Sequence, residues 1–584
     1  MWKDTREDRL NRYKQILQQC PELYRSAPGE SDETKIYENF TSGDSACNDF
    51  ITEDAACEKS TYENGISGNA EEKNVCEKIP ENEKEKNICE KILENEEERN
   101  VYDYVLAPAL HGFVCWVLRE AVAAGTKRLY FLARDGYLMY QAADKICKKL
   151  QLPISCKYLS CSRYSIRVPM YHRNYTEALE YICRGGIDLT IDRILNRGAL
   201  DEQEKQNVLE MLNEEFQRNA QATFQMQENI PYAKLEQIRQ ALEKNVYFRN
   251  CLESHSREAL PGFEGYLEQE GLLDDIPSAL VDSGWIGSMQ KVLNDAVRFI
   301  KEKRVVPLER QQAILSDELK RVSDAEQTNI AEIILDAEQE NTVETTLDAE
   351  QINTPEITRH AETEMEGYYW GLYELPEGVD PKTYHSYYFS PGEHIREKVY
   401  FSNSLFETIF SAPHGMTMGY CKMADGYAPV YAEISEQQYH FMKKIEGHML
   451  RYTEKMLPNI HSEADLLCEN DRKTIFRLLR IFMGEPTEAE VEQFGNHRFS
   501  DDVLDDGNRQ IAEVMTEEEL TSNHIWNKIK VMCGLEKKYI RESPWYEGSA
   551  VRNGQHVKRH LHRYAAYKYL LYLRKKRLWR KNYG

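Results

Sequence analysis

Residues Arg128–Gly136 read RLYFLARDG, and the fold turns on this stretch. Five mostly apolar residues suit a buried strand, and the glycine permits a sharp exit. The next run, YLMYQAADKICKKL, repeats Leu138, Ala142, Ile146 and Leu150 at helical spacing. A second strand-like run, ISCKYLSCS, then begins at Ile154. Strand, helix and strand within roughly thirty-five residues predict a right-handed parallel crossover.

Working outward, YVLAPALHGFVCWVLREAVAA at 104–124 predicts a buried helix from its near-continuous apolar content. From about 175 to 270 the pattern is helical throughout, as in QNVLEMLNEEF and YAKLEQIRQAL. Strand character returns with SALVDSGWIGSMQKVLNDAV from Ser278, again strand, glycine loop and helix. GYYWGLY from Gly367 and YHSYYFS from Tyr384 predict two more strands, and helix dominates from Ser435 onward. The expected class is α/β: a Rossmann-like, mainly parallel sheet with a helical insertion and a largely helical C-terminal half.

Composition marks the boundaries. An amphipathic helix carrying Leu10, Tyr13, Ile16, Leu17 and Cys20 is expected within 1–25, with Pro21 as its stop. A polar linker occupies 26–101, where KNVCEKIPENE at Lys73 recurs as KNICEKILENE at Lys86, a 13-residue period. The core is expected at 102–434, with the helical insertion at 175–270 and a low-complexity insert at 301–365. In that insert DAEQ recurs at Asp324, Asp336 and Asp348. A helical region, 435–551, and a basic amphipathic tail, 552–584, complete the chain. Neither repeat has the apolar surface to stack, so both read as expanded surface insertions.

Acidic residues number 98 against 74 basic ones, a net charge of -24, which excludes bulk attraction to nucleic acid. The 14 cysteines form no CxxC pair, as expected of a reduced, cytoplasmic compartment. The N-terminus lacks the apolar core of a signal peptide, and no window approaches ~20 uninterrupted apolar residues. A soluble chain is expected, or one held peripherally at the inner face of a membrane.

Three strand ends carry chemistry-bearing residues: Arg134, Asp135 and Gly136; then Ser160, Ser162, Arg163 and Arg167; then Asp282, Ser283 and Gly284, with Gly287, Ser288 and Gln290 opening a helix. Ligands of open parallel sheets bind beyond such ends. Gly284 and Gly287 let backbone N–H groups approach an anion, and Arg134 and Arg163 can clamp phosphate oxygens in a two-pronged way. Asp135 and Asp282 suit catalysis as general bases, as acceptors of a sugar hydroxyl, or as magnesium ligands, Asp135 being the tentative one. The competing explanation is helix capping by each aspartate.

YFLARDGYLMYQAA, YLSCSRYSIRVP, VDSGWIGSMQKVL, GYYWGLY and NSLFETIFSAPHGMTMGY together resemble a domain of bacterial surface-polysaccharide gene clusters. That domain usually accompanies a haloacid-dehalogenase-like hydrolase domain. The hydrolase's nucleophile motif, a strand ending in Asp-x-Asp followed by Thr or Val, does not occur in this chain. The resemblance therefore implies a polysaccharide-assembly context more than a reaction. LVDSGWIGSMQKVL is also similar to the ribose-phosphate loop of type I phosphoribosyltransferases, with the single Asp282 where two adjacent acids are expected.

His414 in the turn SAPHG is a possible acid or base, and a surface histidine otherwise. His556 and His560 have the spacing of two ligands on one helix face, but basic neighbours oppose a cation. Residues 552–584 hold eleven Lys or Arg and no Asp or Glu, interleaved with leucine and aromatic residues. This predicts an anionic membrane surface as partner, each basic residue worth about 1 kcal/mol there, against packing on the acidic body or contact with RNA. The functional expectation is a sugar-phosphate or nucleotide-sugar handling enzyme of surface-polysaccharide biosynthesis, a HAD-like hydrolase or a phosphosugar transferase. The alternatives are a non-catalytic accessory protein of that pathway and a phosphoribosyltransferase-like enzyme.

Overall fold

The five apolar runs form one parallel sheet: β1 (Arg128–Leu132), β2 (Ser155–Leu159), β3 (Ser278–Trp285), β4 (Glu366–Leu372) and β5 (Tyr384–Phe389), ordered β2-β1-β3-β4-β5. The computed structural model describes residues 6–24, 96–185, 189–218, 223–305, 364–466, 471–499, 509–532, 535 and 540–583. The linker through residue 95 and the DAEQ repeats lie outside the described residues. The chain forms two compact units, one comprising Met1–Val292 and Met365–Gly584, the other Leu293–Glu364. In the second, Arg298 pairs with Glu364 at 3.4 Å.

β1 is the pivot. Its Phe131 lies opposite Tyr158 of β2 on one side and Val281 of β3 on the other. The chain therefore leaves β1 in one direction and returns to fill the other, bringing the carboxyl ends of β1, β2 and β3 together. Leu129, Phe131, Val281 and Trp370 enter one core with Phe113, Leu138 and Met449 from the helices Ala107–Ala123, Gly136–Leu150 and Glu436–Met456. Tyr130 turns the opposite way and donates to the Glu270 carbonyl at 2.9 Å, at the end of the helix Val246–Glu270. Covered on both faces, β1 must be apolar at successive positions rather than alternating.

The N-terminal helix Arg6–Leu17 adds Tyr13, Ile16 and Leu17 to that same core. Pro21 opens a further helical turn, Pro21–Tyr24, because its missing N–H costs nothing in a first turn. The insertion between β2 and β3 is helical, as expected, and has its own core around Leu179, Ile194, Leu212 and Leu252. Glu98–Ala123 is long and apolar enough to cross a membrane, its most apolar 18 residues having a mean hydropathy of 1.4, but 94% of that stretch is buried inside the fold. It is the central core helix.

Two elements differ from the sequence reading. β3 does not end at Asp282 but continues to Trp285, because Gly284 pairs with Gly371 and Trp285 with Leu372 of β4. A hairpin, β6 (Thr417–Met423) and β7 (Gly426–Tyr431), follows the turn at His414 and was not foreseen in the sequence. Asp425-Gly426 between apolar runs is the turn signal for it.

The basic tail is a helix, Val557–Tyr583, seated on the body by one face. Tyr572 stacks on Tyr373 with ring centroids 5.6 Å apart, and Lys568 donates to the Phe401 carbonyl at 3.1 Å. His560 is fully buried, its ring nitrogens 2.9 Å from His524 and 2.8 Å from Glu517. Glu517 also faces His556 at 3.4 Å, an acidic neighbour that sequence adjacency did not reveal.

Candidate functional site

Asp135 occupies the first position before the helix Gly136–Leu150, where a cap belongs, yet its side chain makes no capping bond. Its backbone is helical at φ -61°, whereas a capping residue is usually extended. The carboxylate instead accepts the Ser283 hydroxyl of β3. Gly136 makes the turn tight enough, since a Cβ there would lie 3.0 Å from the Phe131 backbone. The peptide bonds Ala133–Arg134 and Gly284–Trp285, flanking the two acidic strand ends, are both cis.

Asp282 is only 8% exposed and Ser283 1%. Asp282 accepts from the Ser283 N–H at 2.9 Å. Burial raises its pKa to about 7; Glu407 adds to the rise, while the Ser283 and Gly284 N–H groups and Arg163 oppose it. Burial likewise raises Asp135, followed by the repulsion of Glu407 and Asp282, against the Ser283 bond and Arg134. Three carboxylates thus share one field.

Glu407 is the member that the sequence reading left out of the site. It projects from the helix Asn403–Ile409, started by the Ser402 cap, and accepts the Trp285 indole N–H at 2.6 Å. The available signal was an acid flanked by buried Leu405, Phe406 and Ile409, an expensive place for a charge without a task.

Cationic groups face these acids. Arg134 is half-buried and, among the described residues, its guanidinium makes no hydrogen bond or ion pair, although it lies in the field of Asp135 and His414. Arg163 lies in the field of Asp282 and of Arg184, an arginine not foreseen from the sequence. Arg167 stacks over the Tyr181 ring at 4.6 Å, with its Nε buried and unpaired. His414 is not a surface residue. Its Nδ1 donates to the Gly415 carbonyl at 2.8 Å, which leaves Nε2 to accept from Tyr158 at 2.7 Å. Burial lowers its pKa to about 4, so the ring is neutral at pH 7.

Several anticipated ligand residues are committed elsewhere. Ser162 caps the helix Arg163–Arg167 in a reciprocal capping box with Ser165 and donates to the Thr417 carbonyl at 2.6 Å. Ser160 bonds Tyr431 at 2.6 Å, so the hairpin sits over the end of β2. Gln290 is buried, donating to the Met365 and Thr383 carbonyls and accepting from Tyr369 at 2.8 Å. Ser288 begins the helix Ser288–Val305. Gly284, at φ +134°, is required by packing, since a Cβ would fall 2.0 Å from the Gly371 carbonyl oxygen; Gly287, at φ +73°, lies against Tyr384. Close approach of β4 and of Tyr384 requires glycine at these two positions.

The rim therefore gathers Asp135, Asp282, Ser283 and Glu407 with Arg134 and Arg163, while Gln290 and Ser162 are engaged in structural hydrogen bonds. Among the described residues, no group of three or more His, Cys, Asp or Glu side chains is arranged to hold a metal ion. A magnesium ion resting on one or two carboxylates and completed by ligand oxygens needs no such group. In comparison with known proteins, the chain matches no family model and no curated protein.

Proposed function

We propose that the rim at the carboxyl ends of β1, β2 and β3 binds a phosphorylated sugar or nucleotide sugar and acts on it by phosphoryl or glycosyl transfer or hydrolysis. The sheet is read as a Rossmann-like, doubly wound one, whose order has the 2-1-3-4-5 pattern with its ligand site between the first and third strands. One observation carries the reading. Asp135 sits at the cap position but turns its side chain to β3, into the field of two further carboxylates, at a desolvation cost that helix formation does not require.

In this reading Arg134 and Arg163 take phosphate oxygens, and Asp282 accepts a sugar hydroxyl. Asp135 serves as general base or, with Asp282, holds magnesium against the phosphate. The surface-polysaccharide context rests on the sequence resemblance. A non-catalytic ligand-binding role in that pathway is favoured by the lack of an Asp-x-Asp nucleophile strand.

The test is a thermal-shift screen of sugar phosphates and nucleotide sugars, with and without magnesium, followed by turnover assays. The expected result is magnesium-dependent stabilisation by at least one ligand, abolished in Asp135→Asn. Binding without turnover selects the accessory role, and no shift with any ligand rejects the rim as a site.

A further inference from the structure

The helix Val557–Tyr583 has two unlike faces. His560, Tyr564, Lys568, Tyr572 and Trp579 fall on one side at helical spacing, and three of them are fixed to the body by contacts to His524, Tyr546 and Tyr373. The opposite side carries Arg559, Arg563, Leu570, Arg574, Arg577 and Lys581, all exposed. With 3.6 residues per turn these six form one stripe, about 33 Å long at 1.5 Å per residue. Leu570 lies within the stripe and Tyr569 and Leu578 flank it on either side, at 47, 44 and 51% exposed, adding apolar surface.

None of those five cationic side chains forms an ion pair among the described residues, although the whole chain has a net charge of -24. The body thus uses the lysine and tyrosine face and leaves the arginines unused. A chain so polarised meets an anionic plane in one orientation, its acidic body repelled and its stripe attracted. Exposed leucine and tyrosine beside the arginines match the boundary between headgroups and acyl chains, which a nucleic-acid backbone does not offer.

We propose that the exposed face of Val557–Tyr583 docks the protein on an anionic lipid surface. This inference stands independently of what the strand-end rim binds. The experiment is flotation of the full chain with vesicles of phosphatidylcholine alone or mixed with phosphatidylserine, beside the variant Arg563→Glu/Arg574→Glu/Arg577→Glu. At least tenfold more protein is expected to float with the mixed vesicles than with the neutral ones. That excess should disappear in the variant and in about 0.5 M salt, which screens exposed charges. An unchanged melting temperature shows that the variant is folded, and Leu570→Asp gives a second, independent loss. Equal flotation with both vesicle types, flotation retained by the folded variant, or binding to RNA without binding to vesicles overturns the proposal.

Discussion

Two buried charge systems in this protein are built on opposite principles. Arg9 grips Glu490 with two bonds, at 3.0 and 2.7 Å, and its second nitrogen also donates to the Ile481 and Glu485 carbonyls. Glu490 accepts in addition from Tyr13 at 2.5 Å and from the Thr487 N–H at 2.8 Å. Every charge there has a geometrically matched counter-charge, as a buried pair must if it is to offset its desolvation. At the strand-end rim, Asp282 and Glu407 oppose the ionisation of Asp135; Asp135 accepts from a hydroxyl, Asp282 from a backbone N–H and Glu407 from an indole. The first arrangement locks the N-terminal helix to the core. The second holds acids whose ionisation burial disfavours, and a bound cation would favour it.

The contrast can be broken by mutation, beginning with its largest effect. Arg9→Met leaves Glu490 buried without its partner and should cost about 3–5 kcal/mol in urea denaturation. Asp135→Asn should do the reverse. It removes mutual repulsion and should raise the melting temperature of the ligand-free protein while abolishing ligand-induced stabilisation. If it destabilises the protein as Arg9→Met does, the rim is a structural cluster and the contrast fails.

The pH dependence separates the two systems further. The Asp282 carboxyl has a raised pKa, about 7 in the fold. Between the unfolded value near 4 and about 7, the native chain therefore holds a proton that the unfolded chain has released. Its contribution to stability is greatest below that window and is lost as pH rises through it, by up to about 1.4 kcal/mol per pH unit. Asp282→Asn should flatten this descent when denaturation is followed from pH 4 to pH 8. An unchanged slope would show that Asp282 is ionised throughout.

Two smaller substitutions sharpen the assignment of individual residues. Trp285→Phe keeps the aromatic contacts to Phe401 and Phe406 but removes the indole donor to Glu407, and should cost about 2 kcal/mol. Ser162→Ala should cost about 1 kcal/mol, the usual value of a helix cap, and leave ligand affinity unchanged. A loss of affinity in Ser162→Ala would return this serine to the binding rim.

The five strands and the helical insertion were legible in the sequence because strand runs covered on both faces and amphipathic helices carry their burial pattern in local composition. Asp135 and Asp282 were legible as acids near the carboxyl ends of their strands. Ser162 and Gln290 were not distinguishable from ligand residues, because a cap and a ligand contact draw on the same side chains. Their partners, Ser165 and the Met365 carbonyl, show which use was made. Glu407 was visible but unassignable, since 122 residues separate it from Trp285. The hairpin was missed although Asp425-Gly426 marked its turn.

The sequence by itself determined the five strands of the parallel sheet and most of the helices, and that acids, serines, arginines and glycines gather near the carboxyl ends of three strands. Periodicity and turn chemistry are local, so they survive without knowledge of the partner surface. Only the tertiary structure decided that Asp135 faces β3 rather than its own helix, that Glu407 joins the two aspartates, and that the tail turns its tyrosines inward and its arginines out. Those outcomes depend on which surfaces meet across hundreds of residues, and a pairing energy between distant groups leaves no pattern in either segment alone.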